Sequence, residues 1–232
     1  MAQTHLYQKA YPTHILATTQ NAIVWRDSTK MTYDDGRVKN FSDLLQIADL
    51  EDQLAQKYPR KSVNTPAYPN DPGRIRHQPF FEKMYGRTES EVKANLTEII
   101  WLRKSQKKRL LVTKINDVDK HLQAVSDELE QYPALLKYVT NPAGTFKWRT
   151  IAGTDRLSMH SFGIAIDINL DYSHYWQWDC KCKEESQTLR YRNLIPRQVV
   201  EIFEKHGFIW GGKWYHYDTM HFEYRPELLM RE

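Results

Sequence analysis

The sequence predicts an α+β fold, a small mainly antiparallel sheet flanked by helices and preceded by an N-terminal extension, and three observations predict it. Helical and strand patterns come in separate blocks rather than in strict alternation, which disfavours a doubly wound parallel sheet. At 232 residues, 41% hydrophobic and 27% charged, the chain can bury a substantial core without disulfide staples. Its texture changes within the Pro-rich stretch SVNTPAYPNDPGR, residues 62–74. That change separates residues 1–75, an extension packed on the main domain, from the domain at 76–232.

Within the extension, Ile23–Trp25 and Met31–Tyr33 read as short strands, with turn chemistry in Asp34-Asp35-Gly36. Ser42 precedes a helix through Leu44, Leu45 and Ile47. Past the linker, Thr88 and Glu91 have capping-box spacing, and Val92, Leu96, Ile99 and Ile100 keep helical spacing behind them. Leu110–Val112 reads as a strand. Ile115, Val118, Leu122, Val125 and Leu129 mark one face of a helix that ends before Pro133. A third helix opens near Pro196 and stops at Gly207. Residues 163–170, 208–210 and 220–224 read as strands, and no repeats interrupt the pattern.

A formal charge of +4 favours approach to anionic surfaces. The basic run Arg103, Lys104, Lys107, Lys108 and Arg109 has no recognition helix or interleaved stacking aromatics beside it, so it reads as a solvated loop and no nucleic-acid partner is expected. A bridge between the two cysteines, Cys180 and Cys182, would be strained, and there is no second pair to complete a thiolate zinc site. Apolar stretches fall short of a membrane span, and MAQTHLYQKAYP lacks the apolar core of a signal peptide. No Gly-x-Ser-x-Gly elbow occurs, and neither cysteine lies in a catalytic signature.

Two segments carry the chemistry. In RLSMHSFGIAIDINL, residues 156–170, Ile164, Ile166, Ile168 and Leu170 alternate with Gly163, Ala165, Asp167 and Asn169. The apolar set is expected to face the core. That leaves Asp167 on the other face, beside small residues that let a metal ion, a substrate backbone or another strand approach. His160 sits just before this strand. In GFIWGGKWYHYDTMHFEYRP, residues 207–226, His221 and Glu223 share one strand face, and a turn brings Asp218 near His221. Two imidazole nitrogens and one carboxylate oxygen leave a zinc coordination position open, and a carboxylate off the metal can take a proton from water.

The motifs S-M-H-S-F-G-I-A-I-D and W-G-G-K-W-Y-H-Y-D-T-M-H-F-E resemble the signature of bacterial and phage cell-wall peptidases. That family includes D-alanyl-D-alanine carboxypeptidases and L-alanyl-D-glutamate endopeptidases, in a wider group with lysostaphin and the hedgehog signalling domain. The resemblance covers roughly residues 110–226. It implies one zinc ion per chain on His160, Asp167 and His221, with Asp218 as general base. It implies that Arg149 binds substrate or stabilises the oxyanion and that Ser158 contacts substrate. Many carboxypeptidase members have Glu followed by Trp-His where this chain has Asp-Thr-Met-His, closer to the endopeptidase branch.

The partner so implied is peptidoglycan or its peptide fragments, and the implied location is periplasmic or extracellular, with a cytoplasmic one left open. Among the neighbouring residues, Glu223 is expected to orient a ligand histidine. His216 is expected to stand behind the ligands or substitute for one. Trp210 and Trp214 suit either core or substrate wall, and Gly211-Gly212 a close backbone approach. His121, His174 and His206 show no partner pattern. A non-catalytic zinc-binding module of the same fold is the alternative reading, and Asp218 counts against it.

Overall fold

The alternation at residues 164–167 resolves into a short strand at the centre of the computed structural model, which describes residues 2–61, 65–182, 185 and 188–230. The chain begins with α1 (Thr4–Ala10), β1 (Ile15–Thr18), β2 (Ala22–Trp25), β3 (Lys30–Thr32), α2 (Phe41–Ile47) and α3 (Leu50–Ala55). It continues through α4 (Gln78–Tyr85), α5 (Glu89–Lys93), β4 (Leu96–Trp101), β5 (Lys108–Thr113), α6 (Val118–Leu129) and α7 (Leu136–Val139). The last part holds β6 (Ala165–Asp167), α8 (Trp176–Cys180), α9 (Arg197–Lys205), β7 (Phe208–Trp210), β8 (His221–Tyr224) and α10 (Pro226–Leu229). The combination of helices and small antiparallel sheets is an α+β fold.

The sheet that positions the site has the order β6-β8-β7, antiparallel throughout. Its register sets Asp167 opposite His221 and Ala165 opposite Glu223. Opposed residues share a face, so one face gathers the polar groups. The other face holds Ile166, Phe222 and Trp210, and there α9 packs, with Phe203 stacked on Phe222 at 3.8 Å between ring centroids. Val199, Val200, Ile202 and Phe203 are the buried side of α9. Gly207, at φ +91°, turns the chain from α9 into β7 in a conformation that glycine adopts without a Cβ penalty.

The N-terminal elements share this core. Tyr7, Tyr11 and Trp25 each pack on Phe80 of α4, and Phe81 of the same helix packs on Phe162 beside the site. Residues 62–64 of the Pro-rich stretch lie outside the described residues, but Asp71, Ile75 and Arg76 just beyond are buried. Among the described residues no helix is long and apolar enough to cross a membrane.

Several expectations need correction. Helical spacing from Val92 to Ile100 does not continue one helix: α5 stops at Lys93, where the Asn95 side chain donates to the Glu91 carbonyl, and Leu96–Trp101 forms β4. The β-branched Thr97, Ile99 and Ile100 favour the extended form, and pairing with β5 along the whole strand secures it. Their spacing matched a helix by coincidence.

Ser42 does not precede α2 but lies inside it: the helix opens at Phe41 and is capped by Asn40, whose side chain accepts from the Asp43 amide. Leu170 does not join the core face. It is 45% exposed, because the strand ends at Asp167 and Asn169 caps a short 3-10 turn over Leu170–Tyr172. Cys180 and Cys182 are bridged. Lys181 between them takes a left-handed φ of 56°, and their Cα atoms stand 5.2 Å apart. Of the basic run, Arg103, Lys104 and Lys107 lie at the exposed β4–β5 turn, whereas Lys108 and Arg109 open β5 with exposed side chains.

Candidate metal centre and cleft

His160 reaches the site from a 3-10 turn, Met159–Phe162, whose cap is Ser158: its hydroxyl accepts from the His160 amide. Gly163 ends that turn at φ +69° and returns the chain toward β6. Its missing Cβ does not clear space for a metal. A Cβ there would stand 2.7 Å from Leu96 Cδ2 and 3.1 Å from the Thr113 amide, so the glycine admits the β4–β5 hairpin instead. The Thr113 amide donates to the Gly163 carbonyl across that contact.

The ligand atoms of His160, Asp167 and His221 all lie within 4.8 Å of one another. Asp167 Oδ1 is 3.1 Å from His160 Nε2 and 2.9 Å from His221 Nδ1. Hydrogen positions follow from the far side of each ring. His160 Nδ1 is 2.5 Å from the Thr145 carbonyl, which can only accept, so Nδ1 carries the proton and Nε2 presents a lone pair. His221 Nε2 is 3.0 Å from the Glu223 carboxylate, so in the neutral ring Nδ1 is the bare nitrogen.

With both rings neutral, lone pairs of two imidazoles and a carboxylate oxygen converge on one point, where either a proton on His221 or a metal cation can offset them. That donor set suits zinc, and the outer hydrogen bonds are the kind that orient metal-binding histidines.

The charges around the triad follow from burial and proximity. Burial opposes ionisation of Asp167, but His160 and His221 outweigh it and hold the carboxyl well below the usual range. Burial likewise disfavours a charged His221, yet Asp167 and Glu223 push it up to about 10. Glu223 is fully buried and is held down to about 2 by His221 and Arg225, with Arg225 Nη1 2.8 Å from its Oε1.

Asp218 goes the other way: burial first, and then the Asp167 charge, raise it to about 7. Its Oδ1 is buried without a hydrogen-bond partner. The turn that delivers it is closed by its own carbonyl, which accepts from the His221 amide at 3.3 Å. Gly211 is needed behind it, since a Cβ there would lie 2.6 Å from the Asp218 carbonyl oxygen.

The triad and Asp218 open on a cleft of about 740 Å³. Ser158, Arg149, Tyr175, Trp176 and Trp214 also line it. Arg149 is exposed, and among the described residues its guanidinium donates only to the Thr150 carbonyl, at 3.4 Å. Trp214 is wall, with its ring 5.7 Å from that of His221, whereas Trp210 is core. His216 does not stand behind the triad. Its Nδ1 lies 2.6 Å from Asp71 and its Nε2 2.7 Å from Glu185.

Sequence reasoning missed Asp71, Arg74, Arg76, Arg156 and Glu185, the last four of which line the same cleft. The alternation Arg74-Ile75-Arg76 was the available signal, obscured by the linker-like composition before it. His121, His174 and His206 lie outside the site's lining. His206 pairs with Glu128, His174 with Asp179, and the His121 ring stacks on Tyr224.

A His-Asp-His group that could hold a metal, opening on a cleft beside the Asp218 carboxyl, is the arrangement of a candidate metal-dependent hydrolase. Sequence comparison points the same way: the family model described as D-alanyl-D-alanine carboxypeptidase matches residues 152–224, a segment similar to that peptidase family. The matched segment contains His160, Asp167, Asp218, His221 and Glu223. No curated protein matches the chain.

Proposed function

We propose that the protein is a zinc metallopeptidase that hydrolyses amide bonds in peptidoglycan stem peptides, as a D-Ala-D-Ala carboxypeptidase or an L-Ala-D-Glu type endopeptidase. One observation carries this reading: two imidazoles and a carboxylate oxygen meet at the cleft, with the Asp218 carboxyl beside them, its Oδ1 without a hydrogen-bond partner among the described residues. His160, Asp167 and His221 would hold the ion. When bound, zinc supplies Lewis acidity, polarising a carbonyl and making water more acidic.

The chain's own residues account for the rest. Asp218, on the same cleft as the triad, is placed to accept a proton from an attacking water and to pass it to the leaving amine. Glu223 and the Thr145 carbonyl fix the two imidazoles so that their lone pairs face inward. Arg149, with a guanidinium that has no carboxylate partner among the described residues, is placed to hold a substrate oxyanion or carboxylate. Ser158 lines the same wall, though its hydroxyl also caps the turn that bears His160. Trp214 and the buried polar face exclude water from around the triad.

Metal analysis of the purified chain, joined to digestion of purified peptidoglycan with mass spectrometry of the fragments, tests the reading. One zinc per chain and a defined cut are expected. Asp218→Asn should lower the rate by about 100-fold or more while leaving zinc bound. A folded wild-type chain that takes up no zinc would refute the metal assignment. Full activity of Asp218→Asn would refute the base, and zinc without hydrolysis would favour a non-catalytic zinc-binding module.

A further inference from the structure

The cleft holds a second charged cluster that the proposed peptide hydrolysis does not use. Glu185 is gripped by Arg74, with Oε1 2.6 Å from Nη2 and Oε2 3.2 Å from Nη1, the two-pronged geometry in which guanidinium recognises carboxylate. Its Oε2 is also 2.7 Å from His216 Nε2. Arg74 and His216 are fixed independently of this grip. Asp71, fully buried behind them, takes Arg74 Nη1 at 3.0 Å, His216 Nδ1 at 2.6 Å and the His216 amide at 2.9 Å.

A third cation stands beside them. Arg156 is buried, its Nη1 donates to the Arg74 carbonyl, its Nε has no partner, and it forms no ion pair among the described residues. The surroundings hold the Glu185 carboxyl at about 2: burial opposes this, and His216 and Arg74 override it.

Without Glu185, the cluster keeps its shape and is left with an excess of positive charge. Glu185 is also its most accessible member, with a side chain 38% exposed against 15% for Arg74 and 0% for His216 and Asp71. We propose that Arg74, His216 and Arg156 form a carboxylate-binding site within the cleft, which the chain's own Glu185 fills and which the carboxylate of a bound peptide takes over. Only the identity of the ligand as a peptide rests on the peptidase reading; the recognition of a carboxylate does not. The site adds a requirement for a free carboxylate on the substrate, and Glu185 competes with substrate for it.

Calorimetric titration of the full chain with N-acetyl-D-alanine and with its amide tests this. The acid should bind and the amide should not. Glu185→Ala and Glu185→Gln should each tighten binding of the acid by about tenfold, because a site that is otherwise filled weakens apparent affinity by the fraction occupied. Arg156→Met, confirmed as folded by its melting curve, should weaken it by about tenfold or more.

Equal affinity for acid and amide, or unchanged affinity in both Glu185 variants, would overturn the site. Where a peptide is hydrolysed, Glu185→Ala should lower KM for the free acid and leave kcat in place; an unchanged KM would also overturn it. Failure to cleave peptidoglycan while the acid still binds selectively would refute the peptidase reading and leave this site standing.

Discussion

Glu223→Gln probes the orientation of the metal centre without touching a ligand. The carboxylate is fully buried and divides itself between His221 Nε2 at 3.0 Å and Arg225 Nη1 at 2.8 Å, with Arg76 at 3.9 Å. Glutamine keeps the shape and one acceptor oxygen but removes the charge that fixes the His221 tautomer. Loss of such an orienting partner lowers metal affinity by about 10- to 100-fold, which is about 1.4–2.8 kcal/mol.

The fold should suffer less than when an ion pair is broken outright, a loss of about 3–5 kcal/mol, because Arg225 retains Glu227 at 2.6 Å. Zinc affinity is measured by competition with a chromophoric chelator on metal-stripped protein, alongside a thermal melt of the same sample. A variant that melts cooperatively and binds zinc as tightly as wild type would refute the claim that Glu223 sets the His221 lone pair.

Two further substitutions test the frame. Gly163→Ala forces a side chain into a left-handed residue and against Leu96 Cδ2 at 2.7 Å. About 1–2 kcal/mol of backbone strain, with the hairpin displaced in addition, should lower the denaturant midpoint; an unchanged midpoint would refute the close approach. Lys39→Met removes the cation that Asp35, Asp49 and Asp52 share at 2.9, 2.9 and 2.6 Å, from a side chain 2% exposed.

The loss should fall at the lower end of about 3–5 kcal/mol, since Asp35 is partly solvated. Burial raises Asp49, but the Asp35 and Asp52 amides and Lys39 override it and hold it at about 2. Its folded value lies below the unfolded one, about 3.9, so its contribution is full above that value and is lost as pH falls through about 2. In Lys39→Met the uncompensated carboxylates repel until protonated, so the Tm deficit against wild type should narrow on acidification from pH 7. A constant deficit would count against the cluster.

The site's legibility follows from how its parts are distributed. His160 and Asp167 fall within one stretch, and Asp218, His221 and Glu223 within another, so local alternation and one turn suffice to place them. The register pairing Asp167 with His221 is non-local, but two short strands with one polar face each leave little other choice. Thr145 contributes a carbonyl, which no side-chain pattern can announce.

The cluster brings Glu185 to Arg74 across 111 positions and His216 from further still, and the composition before Arg74 suggests a linker. The helix expected through Leu96–Ile100 shows the limit of periodicity over a short span, where pairing with a neighbouring strand decides. Gly163 shows a related limit: its smallness was legible, but whether metal or backbone filled the space depended on the distant hairpin.

The N-terminal segment is tied to the metal centre by a buried relay of charge. His221 leans on Glu223, Glu223 on Arg225, and Arg225 Nε on Glu227 Oε1 at 2.6 Å; the last carboxylate then accepts from Tyr11 at 2.5 Å and from Gln53 at 3.3 Å. Residues from before the Pro-rich stretch therefore complete the environment of His221, one of the proposed metal ligands. In a dry interior each member holds its neighbour in its charged form, so the links should not be energetically independent.

Tyr11→Phe removes only the last hydroxyl, leaving one oxygen of a buried carboxylate without that donor, and should destabilise the fold by about 1.5–3 kcal/mol. If the relay acts as a unit, combining Tyr11→Phe with Glu223→Gln should give a change in zinc-binding free energy that departs from additivity by more than about 0.5 kcal/mol. Strict additivity in folded variants would mean that the N-terminal segment supports the centre by packing alone. A clear coupling would mean that the orientation of His221 is set in part by a tyrosine from the first helix's C-terminal edge, more than two hundred residues earlier in the chain.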